Sequence, residues 1–143
     1  MLGAILAKQA VKSGFDLLNK GDLEKSMRGW SDDCTWIYPG KVKAGGTYTG
    51  KDQVRNWYEN FFRQFPQRIF TLRHIAIDNI FDLVGNNTVI ARWDLETTNI
   101  NGFKSSNSGV TLLKIKGSKV IFGEDFMLTT DGDDYRKAWG YLN

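Results

Sequence analysis

Apolar residues recur at helical spacing at the start of the chain, at Ile5, Leu6, Val11, Phe15, Leu17 and Leu18, and Gly21 ends the run. This predicts an amphipathic helix over about residues 2–19. Asp22 is placed to cap a second, short helix whose inner side carries Leu23, Met27 and Trp30. Ser31-Asp32-Asp33 breaks that helix, and Cys34 to Tyr38 reads as a strand closed by Pro39-Gly40. Gly45-Gly46 and Gly50 mark a loop around Tyr48. A third helix, capped by Asp52, carries the aromatic stripe Val54, Trp57, Tyr58, Phe61, Phe62 and Phe65 up to Pro66.

Beyond Pro66 the period changes from helical to alternating. Arg68 to Asp78, Asn87 to Thr98, about Phe103 to Lys116, and Lys119 to Thr129 read as strands separated by Gly and Asn turns. Gly117-Ser118 is a hairpin signal. Asp131 to Asp134 reads as a polar turn, and Tyr135 to Leu142 as a short helix or a docked tail. Helices first and strands after give an α+β class, with a curved antiparallel sheet wrapped around N-terminal helices. One domain over residues 1–143 is expected, since this length supports a single core.

Composition changes this picture in one respect. Aromatic residues make up 13% of the chain, and so many rings need either a deep apolar pocket or a buried dimer face. The net charge of +3 comes without a run of like charges, which argues against nucleic-acid binding. The apolar opening is interrupted at Lys8 and Gln9, too early for a signal segment, and no later stretch could span a bilayer. A lone cysteine, Cys34, fits a reducing compartment, so a cytoplasmic location is expected.

The single histidine, His74, and the single cysteine leave no set of ligands for a His/Cys zinc site. No G-x-S-x-G motif, phosphate loop or dinucleotide fingerprint is present. Chemistry without a cofactor would fall to carboxylates, arginine, tyrosine or backbone. His74 alternates with Phe70, Leu72 and Ala76 and reads as a buried or dimer-face residue.

The strand around Val89 to Thr98 carries the sharpest candidates. Alternation puts Val89, Ala91, Trp93 and Leu95 on one face and Ile90, Arg92, Asp94 and Glu96 on the other. Arg92 and Asp94 side by side form either the charged floor of a pocket or a solvated ion pair. Asp125 shares its face with Ile121, Gly123 and Met127, whereas Glu124 goes with Val120, Phe122 and Phe126. A carboxylate among such neighbours must be paired or have a raised pKa. Tyr38, Trp36, Trp57 and Phe61 are candidate walls for a small, apolar ligand, or plain core.

Three segments, Asn19 to Glu24, Ser31 to Trp36 and Tyr48 to Asp52, resemble the nuclear transport factor 2-like superfamily, and within it the SnoaL-like group, over about residues 7–128. The resemblance implies a cone of curved sheet closed by three helices, an internal pocket for a small organic molecule, and a homodimer. It also permits enzymes and non-catalytic binding or interaction modules alike.

Three enzyme patterns within the superfamily make different demands. The ketosteroid isomerase roles fall on Tyr38, Gly14 and Val110, none of which can perform them. The limonene epoxide hydrolase pattern, Arg-x-Asp with a later Asp, is similar to Arg92-Trp93-Asp94 with Asp125. There Asp125 would activate water, Asp94 would protonate the epoxide oxygen, and Arg92 would bridge both. The water-holding tyrosine and asparagine of those enzymes correspond to Thr35 and Ile37, the second of which has no polar side chain. SnoaL-like cyclases use one pocket carboxylate, for which Asp125 is the counterpart. The leading expectation is an epoxide hydrolase-like, cofactor-free enzyme, with cyclase or isomerase chemistry next.

Overall fold

The computed structural model describes residues 1–128 and 134–140. Its elements in chain order are α1 (Leu2–Lys20), α2 (Leu23–Arg28), β1 (Trp30–Tyr38), β2 (Gly46–Thr49), α3 (Lys51–Gln64), β3 (Gln67–Ile77), β4 (Asn87–Thr98), β5 (Lys104–Lys116), β6 (Lys119–Met127) and α4 (Asp134–Trp139). The six strands form one sheet in the order β2-β1-β6-β5-β4-β3. Only β1 and β6 run parallel; every other pair is antiparallel.

Local chemistry accounts for most boundaries. The Asp22 side chain accepts the Lys25 amide at 3.0 Å and so caps α2 as its position predicts. Asp52 does not cap α3: the N-cap is Gly50, and Asp52 lies inside the first turn, where its charge suits the helix dipole. Gly117 and Ser118 both take positive φ, 54° and 64°, the conformation that a tight β5–β6 hairpin needs. Two elements differ from the sequence reading. β1 begins at Trp30, so Ser31 to Asp33 belong to a strand and do not form a break. Gly46 to Thr49 pair with β1 as the short edge strand β2. The turn expected at Asp131 to Asp134 falls mostly outside the described residues.

The inner face of the sheet is buried against the helices in two connected clusters. Ala7, Val11 and Phe15 of α1 pack on Val89, Ala91, Trp93 and Leu95 of β4 and on Leu113 and Ile115 of β5. Trp57, Tyr58, Phe61 and Phe65 pack on Trp30, Trp36 and Tyr38, with Trp139 of α4 closing the end. Burying a large apolar side chain contributes about 1.5–3 kcal/mol, so these rings dominate the core. Trp139 meets Phe65 edge to face at 4.8 Å, and Gln64 and Asn99 both donate to the Ala138 carbonyl. No described helix is long and apolar enough to cross a membrane.

Two irregularities decide which side chains face inward. The β3–β4 register shifts between Leu72 and His74, giving Arg73 no partner on β4. Strict alternation would place His74 with Phe70 and Leu72. The bulge instead sends His74 outward opposite Arg92 and turns Ile75 inward, so His74 is exposed, not buried. The β5–β6 register shifts in the same way at Lys114 and Ile115, leaving Ile121 without a partner. Val120 therefore shares the inner face with Gly123 and Asp125, correcting its assignment to the Glu124 face.

Candidate active site

Between α1, α3 and the inner sheet face lies a cavity of about 670 Å³. Its wall is aromatic and aliphatic, with Trp30, Trp36, Trp57, Phe61, Phe70 and Trp93 prominent. Its mouth is marked by Leu2, Leu6, Leu83 and Val84, which line it and are also exposed at the surface. The Gly3 amide donates to the Asp82 carbonyl at 3.2 Å and ties the two sides of this mouth together. Size and lining suit one small organic molecule.

Among the described residues one acid lines this cavity, Asp125. β6 presents it from the inner face directly opposite Thr111 of β5. The Trp93 indole N–H donates to Thr111 Oγ1 at 2.8 Å, and Thr111 Oγ1 donates in turn to Asp125 Oδ1 at 2.5 Å. An indole nitrogen can only donate, so the one hydroxyl proton of Thr111 is free to go to ionised Asp125. With Oδ1 accepting from Thr111, a proton on the acid is best placed on Oδ2. Burial lifts the Asp125 carboxyl to about 7, against an ordinary 3.8, while the Thr111 bond pulls it down.

Two tyrosines stand near this carboxyl. The Tyr38 oxygen accepts the Trp139 indole N–H at 2.8 Å. The Tyr58 hydroxyl has no hydrogen-bond partner among the described residues. Burial, and secondly the charge of Asp125, hold both phenols protonated well above their ordinary range.

Arg92 and Asp94 do not reach this cavity. Trp93 between them is 1% exposed on the inner face, so alternation turns both neighbours to the outer face. There Arg92 Nη1 donates to Asp94 Oδ1 at 2.7 Å, Ser108 Oγ to the same oxygen at 2.8 Å, and Arg73 Nε to Oδ2 at 2.8 Å. Arg92, then Arg73 and Ser108, hold the Asp94 carboxyl far below the usual range, so it stays ionised and cannot act as an acid. The expected convergence of Arg92, Asp94 and Asp125 is not what this sheet builds. Of the two alternatives open in the sequence, the ion pair is the one observed.

The other candidates divide along the same line. Tyr38, Trp57 and Phe61 line the cavity. Thr35 and Ile37 do not, because Cys34, Trp36 and Tyr38 take the inner face of β1 and leave the alternate residues outside. Thr111 and Tyr58 escaped notice as site residues. A threonine in a strand reads as ordinary β-branched packing, and Tyr58 was one ring of a six-residue apolar stripe. Only the strand register could show that Thr111 faces Asp125.

A curved sheet closed by helices around an apolar cavity is the nuclear transport factor 2-like architecture. The SnoaL-like domain model matches residues 11–122, and the chain belongs to that family. Solved structures agree in fold. The chain is 16% identical to Bal32a from a soil-derived mobile gene cassette, with a TM-score of 0.81 over 96% of this chain and 99% of that one. It is 14% identical to a provisionally assigned isomerase from Bacillus subtilis, with a TM-score of 0.78 over all of both chains. A provisionally assigned polyketide cyclase from Xanthomonas campestris pv. campestris is 12% identical, with a TM-score of 0.71 over 94% of this chain and 98% of that one. No protein of curated function matches the chain by sequence.

Proposed function

We propose that this protein is a cofactor-free enzyme that moves protons on a small, largely apolar organic molecule, as an isomerase or cyclase, with Asp125 as the acid/base. The observation that carries this reading is a carboxyl near neutrality on the wall of an apolar cavity. A general acid/base works best when its pKa lies near the working pH, since both protonation states are then available. The names of two fold relatives, an isomerase and a polyketide cyclase, point to the same kind of chemistry. Epoxide hydrolysis by two acids and an arginine has less support, because Arg92 and Asp94 are occupied with each other on the outer face. Tyr38, Trp57 and Phe61 serve in this reading as substrate-contacting walls.

The test is uptake of solvent deuterium by a panel of small carbon acids, run beside hydrolysis of cyclohexene oxide. Wild-type protein is expected to accelerate exchange, and Asp125→Asn to abolish it while keeping the same circular dichroism spectrum. Exchange undiminished in Asp125→Asn, or hydrolysis of the epoxide alone, overturns the proposal. Binding without any turnover would favour a non-catalytic ligand carrier on the same fold.

The same reading includes a homodimer through the outer sheet face, supported by Ile69, Ile90 and Phe126, which are exposed there. Sedimentation of the purified chain at twice the monomer mass is the expected result.

A further inference from the structure

Most of the exposed large apolar side chains among the described residues come from two segments, Met1 to Leu6 and Ile80 to Val84. These segments meet at the mouth of the cavity, which Leu2, Leu6, Leu83 and Val84 all line. Their backbones touch: the Gly3 amide donates to the Asp82 carbonyl at 3.2 Å, and a Cβ on Gly3 would lie 2.4 Å from that oxygen. The two runs therefore make one continuous apolar rim, and such a surface marks an interaction site. The outer sheet face, proposed above as a dimer contact, lies on the other side of β4 from the cavity and leaves this rim uncovered.

Two further observations say what covers it. First, the loop that presents Phe81 and Leu83 turns its polar groups onto itself. Asp82 Oδ1 accepts the amides of Val84 and Asn86 at 3.0 and 3.1 Å, and Asn79 Oδ1 accepts that of Phe81 at 3.0 Å. Asn87 accepts the Asn79 amide and donates to the Asn79 carbonyl, and the Ser118 amide donates to the Gly85 carbonyl. A loop bonded in this way can leave water without stranding those groups, which is what a lipid phase demands. Second, the rim is flanked by cations. Residues 1–12, 78–87 and 114–119, which surround the mouth, carry five lysines against two aspartates, one of them the buried Asp82. Lys8 follows Ile5 by three residues and stands beside it on α1. Lys116 and Lys119 flank the Gly117-Ser118 turn that is tied to the loop.

We propose that the mouth of the cavity docks on an anionic phospholipid surface. Leu2, Ile5, Phe81 and Leu83 sit among the upper acyl chains, and Lys8, Lys116 and Lys119 lie among the phosphates. The protein rests on the bilayer and does not cross it, in keeping with the absence of a long apolar helix among the described residues. The cavity then opens onto the phase in which an apolar ligand dissolves, so the ligand enters without passing through water. A protein partner on the rim, a second copy included, would cover the opening that the ligand needs. Docking depends on the rim and its cations and not on Asp125.

Co-sedimentation with vesicles tests it, using phosphatidylcholine alone and equal parts phosphatidylcholine and phosphatidylglycerol. The full chain is expected to pellet with the mixed vesicles, and less so as salt is raised. Phe81 and Leu83 are 74% and 82% exposed, so replacing both by serine should leave the fold, and its circular dichroism, intact. That double variant is expected to bind the mixed vesicles on the order of 100-fold more weakly. Lys116→Gln with Lys119→Gln should weaken binding on the order of tenfold. Ile100→Ser, at an exposed apolar residue in the β4–β5 connection at the opposite end of the sheet, and Asp125→Asn should both bind as wild type does. Failure of wild type to bind the mixed vesicles overturns the proposal, as does undiminished binding by the Phe81 and Leu83 double variant. Equal binding to phosphatidylcholine alone overturns the role of the lysines. A fall in sedimenting mass in the double variant, without lipid, would mean that a second copy covers the rim, and would also overturn it.

Discussion

Thr111 Oγ1 donates to Asp125 Oδ1 at 2.5 Å across the β5–β6 ladder, and the Trp93 indole N–H donates to the same hydroxyl from the next strand. Thr111→Val keeps the shape and deletes the donor. A hydrogen bond to the charged form lowers a carboxyl pKa, so its loss must raise that of Asp125 beyond about 7. The pH–rate profile for any reaction that needs ionised Asp125 should move to higher pH, with lower activity at neutrality. A profile that stays in place would detach Thr111 from the acid.

The raised pKa of Asp125 also makes a statement about stability. Between pH about 4 and about 7 the native carboxyl keeps a proton that the unfolded chain has released. The native state then binds more protons, so this group's contribution to stability falls as pH rises through that window and is flat above it. Asp125→Asn removes the dependence. Melting temperatures of the two proteins should therefore differ progressively across pH 4 to 7, with the wild type losing ground as pH rises. Parallel curves would mean that the acid is not desolvated in the folded protein.

Arg92 and Asp94 supply the contrasting case. Their side chains, about a third exposed, meet on the outer face, where Arg73 also donates to Asp94. Ion pairs of this kind are worth little on average. Asp94→Asn and Arg92→Gln are each expected to leave turnover within about twofold of wild type and the melting temperature nearly unmoved. Deuterium exchange and thermal denaturation read both. Abolition of turnover in either variant, with the fold intact, would restore the charged pair to the chemistry.

The contrast between these acids shows how far the sequence could be read. Alternation correctly divided β4 into an inner set with Trp93 and an outer set with Arg92 and Asp94, because side chains on a regular strand have no other choice. What alternation could not supply was which face the helices cover, and so the charged face was open to either reading. Trp93 held the answer, since a tryptophan with Val89, Ala91 and Leu95 makes the more apolar face. The misplaced residues, His74 and Val120, both lie next to a bulge, where one extra residue reverses the side of what lies beyond it. Thr35 and Ile37 were placed by counting from a family pattern, although Trp36 and Tyr38 beside them already claimed the interior.

Trp93 depends on a residue with no side chain. Gly109 faces it across the β4–β5 ladder, and a Cβ built there would lie 2.4 Å from both Cη2 and Cζ2 of the indole and 2.9 Å from the Phe126 carbonyl oxygen. Backbone on one side and a 1%-exposed ring on the other leave the methyl group no room. Gly109→Ala must therefore push the indole, and overpacking of this kind costs about 1–3 kcal/mol. The displacement also pulls Nε1 away from Thr111, the first link to Asp125. Chemical denaturation should show the loss of stability, and the pH–rate profile should shift in the same direction as in Thr111→Val. If Gly109→Ala is destabilised while its profile stays with wild type, Trp93 is packing alone and has no hold on the acid.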